Sequence, residues 1–161
     1  MGLTIAALAA PALGHTPYGQ WVVYRQKHLL VGSHRGDPRT YVLAQNVVES
    51  LSEELPEAQA RVARGPRPQR IASLMGTGQL FLVVLSADEA HSMALAEHPF
   101  EGYRPTPVHS LAALDSSYQL FAAPEFPNDH ARLVTEAVHH AGLGVEPEGT
   151  HVHVGAAAYW D

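Results

Sequence analysis

Six consecutive apolar residues, Leu80-Phe81-Leu82-Val83-Val84-Leu85, lie between Gly78 and Ser86. The run has no polar face, so it cannot be a helix with one side in water. Its β-branched and aromatic content suits a strand covered on both faces. A strand of that kind needs helices above and below it, which points to an α/β layer architecture.

The flanking pattern agrees. His28-Leu29-Leu30-Val31-Gly32 is a second short apolar run, ending in glycine as a buried strand entering a loop would. From Asp37 to Leu55, the residues Tyr41, Leu43, Ala44, Val47, Val48, Leu51 and Leu55 recur every three or four positions, the mark of a helix with one apolar face. Pro56 ends it by disfavouring the helical region at the residue before it. Ala60–Ala63 reads as a strand and Gly65–Pro68 as a turn. A helix then runs from Pro68 to about Thr77, with Gly78 as its terminator. Ser86, with Glu89 three residues on, can cap a helix that ends near Pro99. A Pro- and Gly-rich loop over 99–107 precedes a strand pair, Val108–Leu114 and Tyr118–Ala122. Asn128 or Asp129 is placed to cap a helix that closes near Gly142. The tail from Thr150 predicts a short strand through His153 and then one helical turn. The expectation is a single three-layer α/β lobe over 28–161, with a mostly parallel sheet of about five strands.

Composition excludes several classes. With 46% apolar and 16% charged residues over 161 positions, the chain is not broadly disordered. A net charge of −6 argues against nucleic acid as a partner. No run of eighteen apolar residues predicts a membrane-spanning helix. The absence of cysteine removes disulfides, thiolate catalysis and Cys-ligated metals. Residues 1–14 are small and apolar, with Ala10-Pro11-Ala12 similar to a signal-peptidase site. They are expected to be a secretory leader that places the chain in the periplasm or outside the cell, the alternative being a short buried helix broken at Pro11. Residues 15–27 read as an irregular lead-in.

In open α/β sheets ligands gather at the carboxyl ends of strands. The loops after Val31, Leu85 and Val152 or His153 are therefore the candidate site. Ser33, His34, Arg35, Arg39, Thr40 and Tyr41 surround a helix start whose amides and dipole suit an oxyanion, with Arg39 or Arg35 able to add a bidentate contact. The spacing fits neither a phosphate-binding loop nor a dinucleotide fingerprint. Ser86 and Asp88 follow the central strand and could equally be helix-capping residues. Eleven histidines invite a metal reading in which His139, His140, His151 and His153 converge. No H-E-x-x-H or similar spacing supports it, and His139 and His140 suit a helix C-terminus without any ligand. No nucleophile elbow, cysteine nucleophile or carboxylate pair suggests catalysis, so the plain reading is a binding protein rather than an enzyme, with no cofactor.

Four segments in order resemble one family. They are Val31-Gly32-Ser33 to Thr40-Tyr41-Val42-Leu43-Ala44; Arg70-Ile71-Ala72-Ser73-Leu74 through Gly78-Gln79-Leu80 to Ser86-Ala87-Asp88; Leu111-Ala112-Ala113-Leu114 with Tyr118-Gln119-Leu120-Phe121-Ala122; and His153-Val154-Gly155-Ala156-Ala157-Ala158-Tyr159. Together they resemble the TAXI-type solute-binding proteins of TRAP transporters, which have the type 2 periplasmic binding-protein fold. The resemblance implies a non-enzymatic, exported protein that binds a small anionic, carboxylate-type solute. It implies contacts from Ser33, His34, Arg39, Thr40, Tyr41, Ser86, Asp88 and His153, and a membrane transporter subunit as partner. The chain departs from the family in several places. Ser33-His34-Arg35-Gly36-Asp37 replaces a Gly-Gly loop, Phe81 stands where aspartate is common, and Val154 replaces proline. Ala122-Ala123-Pro124 leads almost directly to Asn128, so the second lobe has no counterpart, and half a cleft cannot enclose a ligand. Two rivals follow. One is an accessory subunit of a membrane-associated or redox complex that uses the old cleft face; on any reading that face is expected to be covered by a second copy of the chain or by a partner protein. The other is a periplasmic metal-binding protein.

Overall fold

The computed structural model describes residues 27–149 and 151–161. The expected leader over 1–14, and the lead-in up to residue 26, lie outside the described residues. Strands β1 (Leu30–His34), β2 (Arg61–Gly65), β3 (Leu82–Ser86), β4 (His109–Ala113) and β5 (Tyr118–Ala122) form one sheet, in the order β2-β1-β3-β5-β4. The helices are α1 (Pro38–Glu54), α2 (Pro68–Gly76), α3 (Ala87–Leu95), α4 (Asn128–His140) and α5 (Val154–Trp160), with a 3-10 turn over Pro56–Ala58.

Alternation along β3 organises the core. Leu82 and Val84 enter a cluster with Val47 and Leu51 of α1, Val134 and Val138 of α4, and Ala156 of α5. Val83 and Leu85 point the other way, to Ile71 and Met75 of α2 and Met93 of α3. Leu82, Val83, Val84 and Leu85 are fully buried, as the apolar run requires, and so is Ile71. The result is the expected three-layer lobe, with the sheet between α1, α4 and α5 on one face and α2 and α3 on the other.

The strand directions are mixed. β1 pairs in parallel with β2 and β3, whereas β5 is antiparallel to both β3 and β4. A short turn joins β4 to β5, and a turn of that length permits only an antiparallel pair. Asp115 builds it, its Oδ1 accepting the amides of Ser117 and Tyr118 at 2.8 Å each. The hairpin thereby inserts β5 between β3 and β4, a placement that periodicity cannot reveal.

Boundaries differ in informative ways. β1 extends to His34, because Ser33 and His34 continue the ladder opposite Arg64 and Gly65. These two residues are therefore strand, not loop. Neither Asn128 nor Asp129 caps α4, since the cap position is Pro127 and no side chain bonds there. The strand expected before His153 is reduced to one bridge, Ser110 with Val152. The helix after it, α5, is longer than the single expected turn.

Candidate functional site

The parallel register brings the ends of β1, β2 and β3 to one edge of the sheet, where β5 begins, because Ser86 pairs with Tyr118. At this carboxyl edge three polar links are made. The first is His34, almost fully buried, whose Nε2 lies 2.8 Å from Glu89 Oε2 on α3. The second is the Tyr118 hydroxyl, which donates to Asp37 Oδ2 at 2.5 Å. The third is Arg39, which reaches Asp115 Oδ2 through Nε at 3.0 Å and Nη2 at 2.5 Å.

The charges shape one another. The hydrogen bond to Asp37, aided by burial, pushes the Tyr118 phenol up to about 12. Burial alone would raise the Asp115 carboxyl. The Ser117 amide, the Arg39 guanidinium and the Tyr118 amide outweigh it and leave the group below the usual carboxylate range. Arg39 in turn is held above its ordinary value, first by its hydrogen bond to Asp115. Asp115 is thus a carboxylate held by a guanidinium and two backbone amides, the donor set by which proteins recognise carboxylates.

The start of α1 is also occupied from within. Asp37 is its N-cap and accepts the Arg39 amide at 3.1 Å. Thr40, fully buried, accepts the His34 amide at 3.2 Å and donates to the Asp37 carbonyl at 2.7 Å, so its hydroxyl is spent on the turn. Tyr41 lies under the Arg64 guanidinium, 4.2 Å from the ring centroid. Ser86 caps α3, accepting the Glu89 amide at 3.2 Å, while Glu89 turns to His34 instead of reaching back to Ser86. Asp88 is exposed on the first turn of α3. Two buried atoms at this edge have no hydrogen-bond partner, Ser33 Oγ and His34 Nδ1.

His153 is not part of this edge. Its amide bonds to the Ser110 carbonyl at the start of β4, and β4 begins where β5 and β3 have their opposite ends, His109 facing Ala122 and Ala122 facing Leu82. The expected convergence of His153 with Ser33 and Ser86 is absent. Instead His153 packs 6.2 Å from the His109 ring, and His109 lies 6.3 Å from His151. His139 and His140 lie at the far end of α4, where His139 Nδ1 meets the Tyr159 hydroxyl at 2.7 Å. About nine residues of helix separate His130, beside Phe126 and His153, from His139, which is roughly 14 Å at 1.5 Å per residue. The four histidines do not meet. Among the described residues no group of three or more His, Cys, Asp or Glu could hold a metal ion.

A mainly apolar concavity lies at the amino edge of the sheet. It is an open groove of about 780 Å³, lined by Leu30, Leu80, Phe81, Phe126 and Leu133, with Lys27 also in its wall. Sequence reasoning missed Asp115, Tyr118 and His109. The only available signal was Asp115-Ser116-Ser117 between two strand patterns, a turn that had to place Tyr118 at a sheet edge.

One consequence is measurable at once. Asp37→Ala removes the α1 cap and the Tyr118 partner together, and is expected to lower stability by about 0.5–2 kcal/mol in urea unfolding. Asp37→Asn should recover most of the loss, because its carbonyl can still cap.

Comparison with protein-family models and with curated proteins finds no match to the chain.

Proposed function

We propose that the chain is an exported, non-enzymatic binding lobe of the TAXI solute-binding type, which recognises the carboxylate of a small anionic solute at the carboxyl edge of its sheet. The observation that carries this reading is the handling of Asp115. A complete carboxylate-binding set, the Arg39 guanidinium with the amides of Ser117 and Tyr118, is assembled there and filled by the chain's own side chain. Arg39 is more than half exposed, so an external carboxylate can reach it by displacing Asp115. The four family-like segments and their order support the same reading. A transporter subunit is the partner it implies.

A second reading, an accessory subunit that docks on another protein, is favoured by the groove at the amino edge, where Phe81 and Leu133 remain exposed.

Calorimetry of the wild type, Asp115→Asn and Arg39→Ala against a panel of small carboxylates tests the lead reading. Asp115→Asn keeps an acceptor for the two turn amides while removing the charge that competes for Arg39. It is expected to bind more tightly than the wild type, and Arg39→Ala to give no heat. Absence of heat with Asp115→Asn for every carboxylate retires solute binding in favour of docking.

A further inference from the structure

We propose that His153 is an acid-sensitive catch, and that protonation of its ring at Nδ1 releases α5 from the body of the lobe. The ring is almost completely buried, and its Nδ1 accepts the Gly155 amide at 3.1 Å, capping α5. An accepting Nδ1 carries no hydrogen, so the neutral ring has its proton on Nε2. A second proton can only go to Nδ1. There it would set one N–H against another and turn the cap into a repulsion, in a site where the new charge has little solvent.

The surroundings sharpen the effect. His109 of β4 faces the ring at 6.2 Å, and His151 stands 6.3 Å from His109. From the segment between β5 and α4 come Phe126, whose ring is 6.5 Å away, and the carbonyls of Phe126 and Pro124, which favour the charged form. His130 of α4 lies beyond Phe126, while Glu125 and Asp129 nearby are exposed to solvent. The balance is unfavourable to charge. Burial, then His109, hold His153 below the ordinary histidine value, and burial, then His151, do the same to His109.

The remaining holds on α5 do not share this chemistry. Trp160 Nε1 donates to the Leu111 carbonyl at 3.0 Å, which does not titrate. Tyr159 meets His139 at 2.7 Å, and a hydroxyl can accept from a protonated imidazole as readily as it donates to a neutral one. The cap is therefore where acid acts. Because the folded value is depressed, the linked stability is fully present above the ordinary value of about 6.5 and is lost as pH falls below it. Release would uncover the core at Leu111 and Ala156, presenting an apolar face only in acid.

Amide hydrogen exchange of the full chain, corrected for intrinsic rates, tests this at the Ala157 and Asp161 amides, which bond to the His153 and Ala157 carbonyls. Opening of α5 is expected to be constant above pH 7. Between there and pH 5 it should rise by up to about tenfold per pH unit, with β3 unchanged. His153→Asn should hold α5 closed at every pH, since an Asn carbonyl caps a helix and does not titrate. His109→Gln, by removing a group that opposes charge on His153, should leave the onset in place and make the rise level off at a higher pH, so that acid opens α5 less than in the wild type. Opening in the wild type that ignores pH, or the same acid response in His153→Asn, overturns the proposal. Should His153→Asn not fold, an acid rise in His109→Gln as large as that of the wild type overturns it alone.

Discussion

Leu82→Ala is expected to destabilise the lobe by about 2–5 kcal/mol, the range for emptying a fully packed leucine site. Leu82 is completely buried, lies on the central strand, and has β1 on one side and β5 on the other. Its side chain enters the cluster shared by α1, α4 and α5, so three helices would face the cavity, and none can close it without leaving the others. Urea unfolding measures the loss as a fall in the midpoint at unchanged slope. Phe81→Ala is the control. The residue before the strand is more than one-third exposed at the groove, so a bulkier deletion there should cost less. A loss below about 1 kcal/mol for Leu82→Ala would mean that β3 is not central.

That β3 is central could be read from its residues, because burial on both faces is written directly into a run without polar positions. The helix over Pro38–Glu54 was equally legible, its apolar stripe and the proline after it being local features. The order and direction of the strands were not. β5 lies between β3 and β4 because a tight turn at Asp115 folds the hairpin back, and nothing in the 118–122 pattern says which neighbour it will choose. The reach of β1 to His34 was also hidden, since Ser33 and His34 look like loop residues until Arg64 and Gly65 supply a ladder for them.

The carboxyl edge was legible only in part. Helix-start residues could be named from the Gly-Ser-to-Asp-Pro segment, and Asp37, Arg39 and Thr40 do lie there. Their partners came from far along the chain: Glu89 for His34, Asp115 for Arg39, and Tyr118 for Asp37. Those links depend on where β3 and β5 end, so they follow from topology and not from spacing. His153 failed for the same reason. The Val152–Ser110 bridge and the bond from its own amide to the Ser110 carbonyl fix it at the start of β4, one full strand length from the edge that its position after an apolar residue suggested.

Gly155→Ala is expected to dislodge α5 at every pH, with a cost in stability of about 1–3 kcal/mol or more. A Cβ at Gly155 would fall inside contact distance of the Asn128 carbonyl and only 2.8 Å from Asn128 Cα. Both are backbone at the first turn of α4, so no side chain can swing aside to make room. The strain has two outlets. Either α5 lifts away, leaving Leu111 and Ala156 uncovered and breaking the bond from Trp160 to the Leu111 carbonyl, or the start of α4 shifts and loosens Phe126. The helix is short, whereas α4 is packed along its length against α1 and β4. The first outlet is therefore the cheaper one. Hydrogen exchange separates them: rapid exchange confined to the last turn marks release of α5, and loss of protection along 128–140 marks the second. Release in Gly155→Ala should already be present above pH 7, where the His153 cap is intact, because the clash is steric and carries no proton. Full protection of the last turn above pH 7 in that variant would contradict the close packing of the two helix starts.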